Sequence, residues 1–222
     1  MNEVIMNAAE IIGTAAFSVS GALIAICCGL DLFGVVFIGV ITAVGGGIVR
    51  DIILGSFPPA IFSNTYTFAI AAVTSIVVFI LSYINRKHFE GMKERIEKIN
   101  NVFDAIGLSA FSVRGAEIAF EAGFHGNIIL VVLMGMITGV GGGLFRDVLV
   151  DKTPYVLKKH IYALASLAGS LIYYIERVYI GSDVAGCICA MSVVFVIRML
   201  ATRYRWKLPK VRMECAKTEE KI

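Results

Sequence analysis

The chain has 222 residues, 58% of them hydrophobic and 17% charged, with a formal net charge of +3 and a mean hydropathy of +0.81. Soluble chains average ~45–50% apolar and ~25% charged, so these values exclude an ordinary soluble domain and indicate an integral membrane protein. The five cysteines (Cys27, Cys28, Cys187, Cys189 and Cys215) have no metal-ligand spacing, and the four in apolar segments read as small hydrophobes.

A membrane-spanning helix needs ~20 mostly apolar residues. Seven segments meet this, roughly 5–28, 32–54, 65–86, 103–122, 127–150, 158–178 and 183–200. Met1 to Glu10 contains two Glu and no Lys or Arg. It therefore lacks the basic start of a cleaved signal peptide, and the first apolar segment is expected to stay in the mature protein. Residues 87–102 form a charged linker holding Lys93, Glu94, Arg95, Glu97 and Lys98. It reads as a solvated connector, with a short surface helix as the alternative. His125 and His160 fall in linkers and are not read as proton carriers.

Basic residues collect in the loops on the cytoplasmic side of a membrane protein. An N-terminus outside and a C-terminus in the cytoplasm would put 16 of the 20 Lys and Arg inside, eight of them in a basic stretch that starts at Arg198. Tyr204 and Trp206 suit an interfacial belt there. The basic tail is read as a topology signal in contact with lipid headgroups, and no nucleic-acid partner is expected.

The chemistry concentrates in one phrase. Gly45-Gly46-Gly47-Ile48-Val49-Arg50-Asp51 returns 96 residues later as Gly141-Gly142-Gly143-Leu144-Phe145-Arg146-Asp147. Glycine costs ~1 kcal/mol relative to alanine within a helix, and a helix broken in lipid is tolerated only where its freed groups face protein or a water-filled cavity. Intramembrane Arg and Asp are costly and should face the bundle interior in pairs. Adjacent helix positions diverge, so Arg50 and Asp51 are expected to find partners elsewhere. Two readings stay open: the triplets are seams for close helix packing, or they line a solute pathway.

The repetition is wider than the phrase. Residues 39–59 match 135–155 at 10 of 21 positions, and residues 10–21 match 104–115 at 7 of 12. Glu10 answers Asp104, and Tyr66 answers Tyr162. The expected domains are a first three-helix repeat (5–86), the cytoplasmic linker (87–102), a second repeat (103–178), a seventh helix (183–200) and a basic cytoplasmic tail (201–222). Three is odd, so the second unit must run inverted through the membrane, and interrupted helices in matching places point to a site near the midplane. The fourth segment adds Arg114, Glu117 and Glu121 at i, i+3 and i+7. Arg114 and Glu117 are read as a buried pair or, alternatively, as a gating contact. Their counterparts in the first unit are Ser20 and Leu23.

Two G-G-G-x-x-R-D phrases in a 3+3+1 chain resemble the bacterial inner-membrane proteins with two tandem glycine-transporter domains. That family is similar in fold to the trimeric intracellular cation (TRIC) channels. The resemblance covers residues ~5–200. It implies an all-α, seven-helix TRIC-like fold, a homotrimer with a pathway in each subunit, and kinks at both triplets. The motif residues carried over are Gly45, Gly46, Gly47, Arg50, Asp51, Gly141, Gly142, Gly143, Arg146 and Asp147. The animal channels carry a lysine-bearing signature with no clear counterpart here. The function expected is transport of a small polar solute, glycine or a similar amino acid, across the bacterial inner membrane; the alternative is a monovalent cation (K⁺) channel. A structural membrane protein is a third reading. No enzyme activity, cofactor or metal is expected.

Overall fold

Long runs of Ile, Val, Leu, Phe and Ala, interrupted by Gly and Pro, fold as helices throughout the described part of this computed structural model. It describes residues 2–63, 65–85, 93–158, 161–181, 183–204 and 206. Their α-helices in chain order are α1 (Asn2–Cys27), α2 (Leu32–Ile53), α3 (Ala60–Ser63), α4 (Thr65–Ile84), α5 (Lys93–Ala119), α6 (Ile128–Leu149), α7 (Tyr155–Lys158), α8 (Ile161–Ile175) and α9 (Asp183–Arg203). Two π-helical turns, Phe120–Phe124 and Glu176–Ile180, continue α5 and α8.

Five helices among the described residues are long and apolar enough to cross a membrane: Val4–Cys27, Leu32–Ile53, Thr65–Ile84, Ile128–Leu149 and Val184–Arg203. The remaining two of the seven expected segments differ for physical reasons. Helix α8 has 15 α-helical residues before its π turn. Helix α5 begins at Lys93 and takes in the charged residues expected in a connector. The half of that linker from 93 to 102 is therefore helix rather than coil. The basic tail expected over 201–222 lies outside the described residues apart from 201–204 and 206.

Helices α1, α2 and α4 pack against one another, and so do α5, α6 and α8; α9 lies on α5 and α8. Matching positions do matching jobs. Asp31 caps α2 by accepting from Gly34 N at 2.8 Å, and Asn127 caps α6 by accepting from Leu130 N at 3.1 Å, which satisfies a backbone donor left free by the first turn. Thr42 and Thr138 each donate to the carbonyl four residues back, both at 2.6 Å, so these buried hydroxyls need no outside partner. Phe17 and Phe111, which answer each other in the repeat, stack with ring centroids 5.4 Å apart. Apolar side chains along α4, including Phe68, Val73, Val77 and Leu81, are exposed, as suits a face turned to lipid.

The glycine triplets lie where α2 crosses α6. A methyl group on Gly46 would fall on the carbonyl oxygen of Thr138, and one on Gly142 would fall on that of Thr42. A methyl group on Gly141 would stand 2.9 Å from the Gly46 Cα. The close packing read as one possibility from sequence is thus present. Both α2 and α6 are α-helical through their triplets. Backbone contact across the crossing holds them as continuous helices.

This contact has a measurable consequence. Gly46→Ala forces a methyl into a backbone oxygen, an overpacking of ~1–3 kcal/mol. At Gly47 the same methyl finds only Arg50 Nη2, at 3.7 Å. Thermal unfolding in detergent should show Gly46→Ala melting several degrees below wild type, at ~2–4 °C per kcal/mol for a domain of this size, and Gly47→Ala close to it. Equal melting of the two would refute the asymmetry.

Candidate functional site

Both Arg-Asp phrases lie one turn beyond the crossing, and both are buried. Arg50 donates to Asp51 Oδ1 from Nε at 2.9 Å and from Nη2 at 2.7 Å. The other oxygen, Asp51 Oδ2, accepts from the backbone N of Ala60 at 2.9 Å and so caps α3. In the second copy Arg146 Nε donates to Asp147 Oδ1 at 2.9 Å, and Asp147 Oδ2 accepts from Tyr155 N at 2.8 Å, at the start of α7. This corrects the expectation that neighbours in the phrase would not pair. The backbone directions do diverge, but the long arginine arm folds back, and its planar fork meets a carboxylate that no closer cation claims.

The two copies differ in what else they hold. Arg146 Nη1 also donates to Asp104 Oδ1 at 2.9 Å and to Ser20 Oγ at 2.6 Å. Ser20 in turn donates to Asn100 Oδ1 at 2.8 Å. Asp104 Oδ2 stands 3.6 Å from Arg198 Nη2, and the Arg198 guanidinium lies 4.6 Å from the centroid of the Tyr162 ring, a cation–π contact. Asp104, the repeat counterpart of Glu10, is buried between two arginines. In the first copy Arg114 occupies the position that Ser20 fills in the second. Arg114 Nε donates to Glu10 at 3.1 Å, and its Nη1 to Glu117 at 2.6 Å. Glu10 is thereby held by Arg114, and Arg50 is left with Asp51. The paired reading of Arg114 and Glu117 describes the observed contact.

Two cavities end on these clusters. One of about 940 Å³ reaches Arg146 and Asp147 between Ile24, Phe79, Asn100 and Lys152. The other, about 310 Å³, reaches Arg50 and Asp51 and is bounded by Glu10, Gly47, Tyr66 and Arg114. Glu10 and Ile24 are 14 residues apart on α1, or ~21 Å at 1.5 Å per residue, so the cavities open towards opposite ends of the bundle. The crossing of α2 and α6 stands between them. Gly47 borders the smaller cavity. At Gly45 an added methyl would meet the Phe145 ring at 2.8 Å, and at Gly143 the Tyr162 hydroxyl at 3.1 Å. Among the described residues, no group of three or more His, Cys, Asp or Glu is arranged to hold a metal ion.

Sequence reasoning missed Arg198 and Asn100. Arg198 is the first basic residue after an apolar run, which reads as a boundary marker, whereas it is 1% exposed. Asn100 was hidden in the charged linker. Ser20 and Tyr162 were visible as repeat positions but carried no assigned contact.

The family model described as glycine transporter matches residues 7–83 and again 101–177. The chain belongs to this family. Relatives include the UPF0126 inner membrane protein YadS of Escherichia coli K12, 36% identical over 209 residues (92% of this chain and 95% of the relative). The UPF0126 membrane protein YvgT of Bacillus subtilis is 35% identical over 200 residues (90% and 93%). Among solved structures, the crystal structure of a prokaryotic TRIC channel in 0.5 M KCl is 39% identical, with a TM-score of 0.82 over 93% of this chain and 100% of that one. The TRIC trimeric intracellular cation channel orthologue from Rhodobacter sphaeroides is 26% identical, with a TM-score of 0.81 over 91% and 99%. The resemblance read from the doubled phrase therefore holds. The chain is a membrane transport protein with the fold of TRIC channels, and at family level this is a transport rather than an enzymatic role.

The two clusters predict unequal costs. Asp104→Ala leaves two buried guanidiniums without their shared carboxylate, and breaking such a pair typically costs ~3–5 kcal/mol. Glu10→Ala breaks a pair in which Arg114 and Glu10 are each about one-fifth exposed while Arg114 keeps Glu117, and should cost ~1 kcal/mol or less. Thermal stability in detergent should rank Asp104→Ala well below Glu10→Ala; the reverse order would contradict the difference in burial.

Proposed function

We propose that the chain forms a pathway for monovalent cations through the bacterial inner membrane, organised as in TRIC channels. In this reading seven helices cross the membrane as an inverted 3+3 repeat plus one. The N-terminus is outside, the C-terminus is cytoplasmic, and three copies assemble with a pathway in each. The observation that carries the reading is the pair of opposed cavities, each ending on an Arg-Asp phrase, in a chain 39% identical to a prokaryotic TRIC channel along nearly its whole length. The carboxylates attract cations, and the arginines lie across the route as fixed counter-charges that must shift or be bypassed for an ion to pass. The residues assigned to the pathway are Gly45, Gly46, Gly47, Arg50, Asp51, Gly141, Gly142, Gly143, Arg146 and Asp147, with Arg114 and Glu117 holding the smaller mouth. Sister subunits and lipid cover the exposed apolar face of α4.

A second reading is transport of glycine or a similar amino acid. It is supported by the family description and by the smaller cavity, where Arg50 and Arg114 could meet a carboxylate while Glu10 and Asp51 meet an ammonium group. Reconstitution in liposomes separates the two, with K⁺ flux and radiolabelled glycine uptake measured on the same vesicles. Fast K⁺ flux without saturable glycine uptake supports the channel. Saturable uptake with little K⁺ leak replaces it with the carrier. For the channel, Arg50→Ala should raise K⁺ flux and Asp147→Ala should lower it, each by about fivefold, the effect of one charge in a partly hydrated site. Unchanged flux in both variants would remove the phrases from the pathway.

A further inference from the structure

The two cavities share no lining residue. On α1 the smaller one ends at Glu10 and the larger begins at Ile24; on α5 the larger ends at Asn100 and the smaller begins at Phe111. The stretch of α1 from Glu10 to Ile24 spans ~21 Å at 1.5 Å per residue, and Phe17 stands at its middle. Helices α1 and α5 run antiparallel along this seam. Arg114 reaches Glu10 at one end, and Ser20 reaches Asn100 at the other.

Between those contacts lie two aromatic rings. Phe17 is 1% exposed and Phe111 8%, and their stacked planes are 23° apart. Each ring lies against a glycine of the opposite helix. A methyl group on Gly107 would fall on the Phe17 ring, and one on Gly13 would stand 3.3 Å from the Phe111 ring. Val44 of α2, Leu108 of α5 and Val140 of α6 belong to the same buried apolar cluster. The serines next to the rings are turned to their own helices, Ser18 donating to Thr14 O at 2.7 Å and Ser112 to Leu108 O at 2.6 Å. Thr14 differs. It lies three residues before Phe17, on the same helix face, and its buried hydroxyl has no hydrogen-bond partner in the protein.

We infer that the Phe17–Phe111 stack is a hydrophobic gate: an apolar constriction that keeps water, and with it ions, from passing between the two cavities until the rings part. This rests on the reading of the chain as a cation pathway. An apolar constriction closes a pore by dewetting, without having to fill it, so the barrier follows the polarity of the rings more than their size. With glycine beneath each ring, a ring that turns aside uncovers backbone rather than another side chain. The Thr14 hydroxyl, one turn away, is placed to bond the water that enters.

The test uses the full chain in liposomes, with folding checked first by thermal melting in detergent. K⁺ flux is compared for Gln, Ala and Leu at Phe111, and for the same three at Phe17. Phe111→Gln should raise the flux on the order of tenfold, the factor that accompanies a barrier lowered by ~1.4 kcal/mol. Phe111→Leu should raise it least, and Phe111→Ala should fall between them. A plug that acts by size alone would be opened most by Ala, and that order overturns the proposal. Flux within twofold of wild type in every variant overturns it too. If Gln folds at neither ring, Phe111→Tyr carries the sign of the test: the added hydroxyl raises flux through an apolar gate and lowers it through a steric plug.

Osmotic water permeability of the same liposomes, read by light scattering, separates this inference from the pathway reading. Absence of K⁺ flux in wild type and in every variant would sink the pathway reading. Water permeability then judges the stack alone: a rise with Phe111→Gln or Phe111→Tyr supports a dewetted barrier, and no rise overturns it.

Discussion

The contact on which the rest of the bundle depends is the meeting of two backbones, α2 against α6, at positions with no side chain. Thr138 O lies where a side chain on Gly46 would be, and Thr42 O where one on Gly142 would be. Within a bilayer the lipid offers little advantage to burying apolar surface between helices, so such close approach is a main source of association. It also sets the chemistry. Gly46 and Arg50 are four residues apart, as are Gly142 and Arg146, and so share a helix face. Each arginine leaves its helix one turn past the crossing, into a space that the neighbouring helices must fill with partners.

Those partners are economical. Each phrase aspartate uses one oxygen for its own arginine and the other for the backbone N that opens the next short helix. A buried guanidinium is thereby tied to the chain reversal that follows it, and neither α3 nor α7 can move without disturbing a charge. What distinguishes the two ends is a single exchange between matched positions, Ser20 against Arg114. Arginine there claims the nearby Glu10 for itself. Serine only helps to orient Arg146 and leaves Asp104 to be shared with α9. One substitution within a duplicated framework has given two clusters of different depth, one with its ion pair partly exposed and one with its ion pairs almost fully buried.

Much of this was legible in the sequence, because membrane burial writes strong signals. The apolar runs identified the helices, the doubled phrase identified the two arginines that end the cavities, and the i, i+3 spacing of Arg114 and Glu117 anticipated their ion pair. The rest was obscured by specific physical circumstances. Pairing within Arg50-Asp51 was missed because periodicity describes where Cβ points and not how far a guanidinium can turn back. The start of α5 at Lys93 was missed because charge marks solvent exposure, and an exposed helix is as charged as an exposed loop. Arg198 was missed because a cation at the end of an apolar run ordinarily marks the membrane edge, and here the binding partners that bury it, Asp104 and Tyr162, lie 94 and 36 residues away in the chain. The α-helical conformation of both glycine triplets depends on the opposite backbone, which local propensity does not contain.

The reciprocity of the crossing has a consequence for how such a protein can change. In a chain half this length, pairing with a copy of itself, one glycine and one threonine would make both backbone contacts. Every substitution would strike the crossing twice, and the two ends would be bound to stay alike. Joined in a single polypeptide, the contacts of Gly46 with Thr138 and of Gly142 with Thr42 are encoded separately. A change in one half can be absorbed while the other holds the frame. The freedom to make the ends of the molecule chemically unequal is a property of the covalent link between the halves, and it is spent at residues 20 and 114 rather than at the glycines.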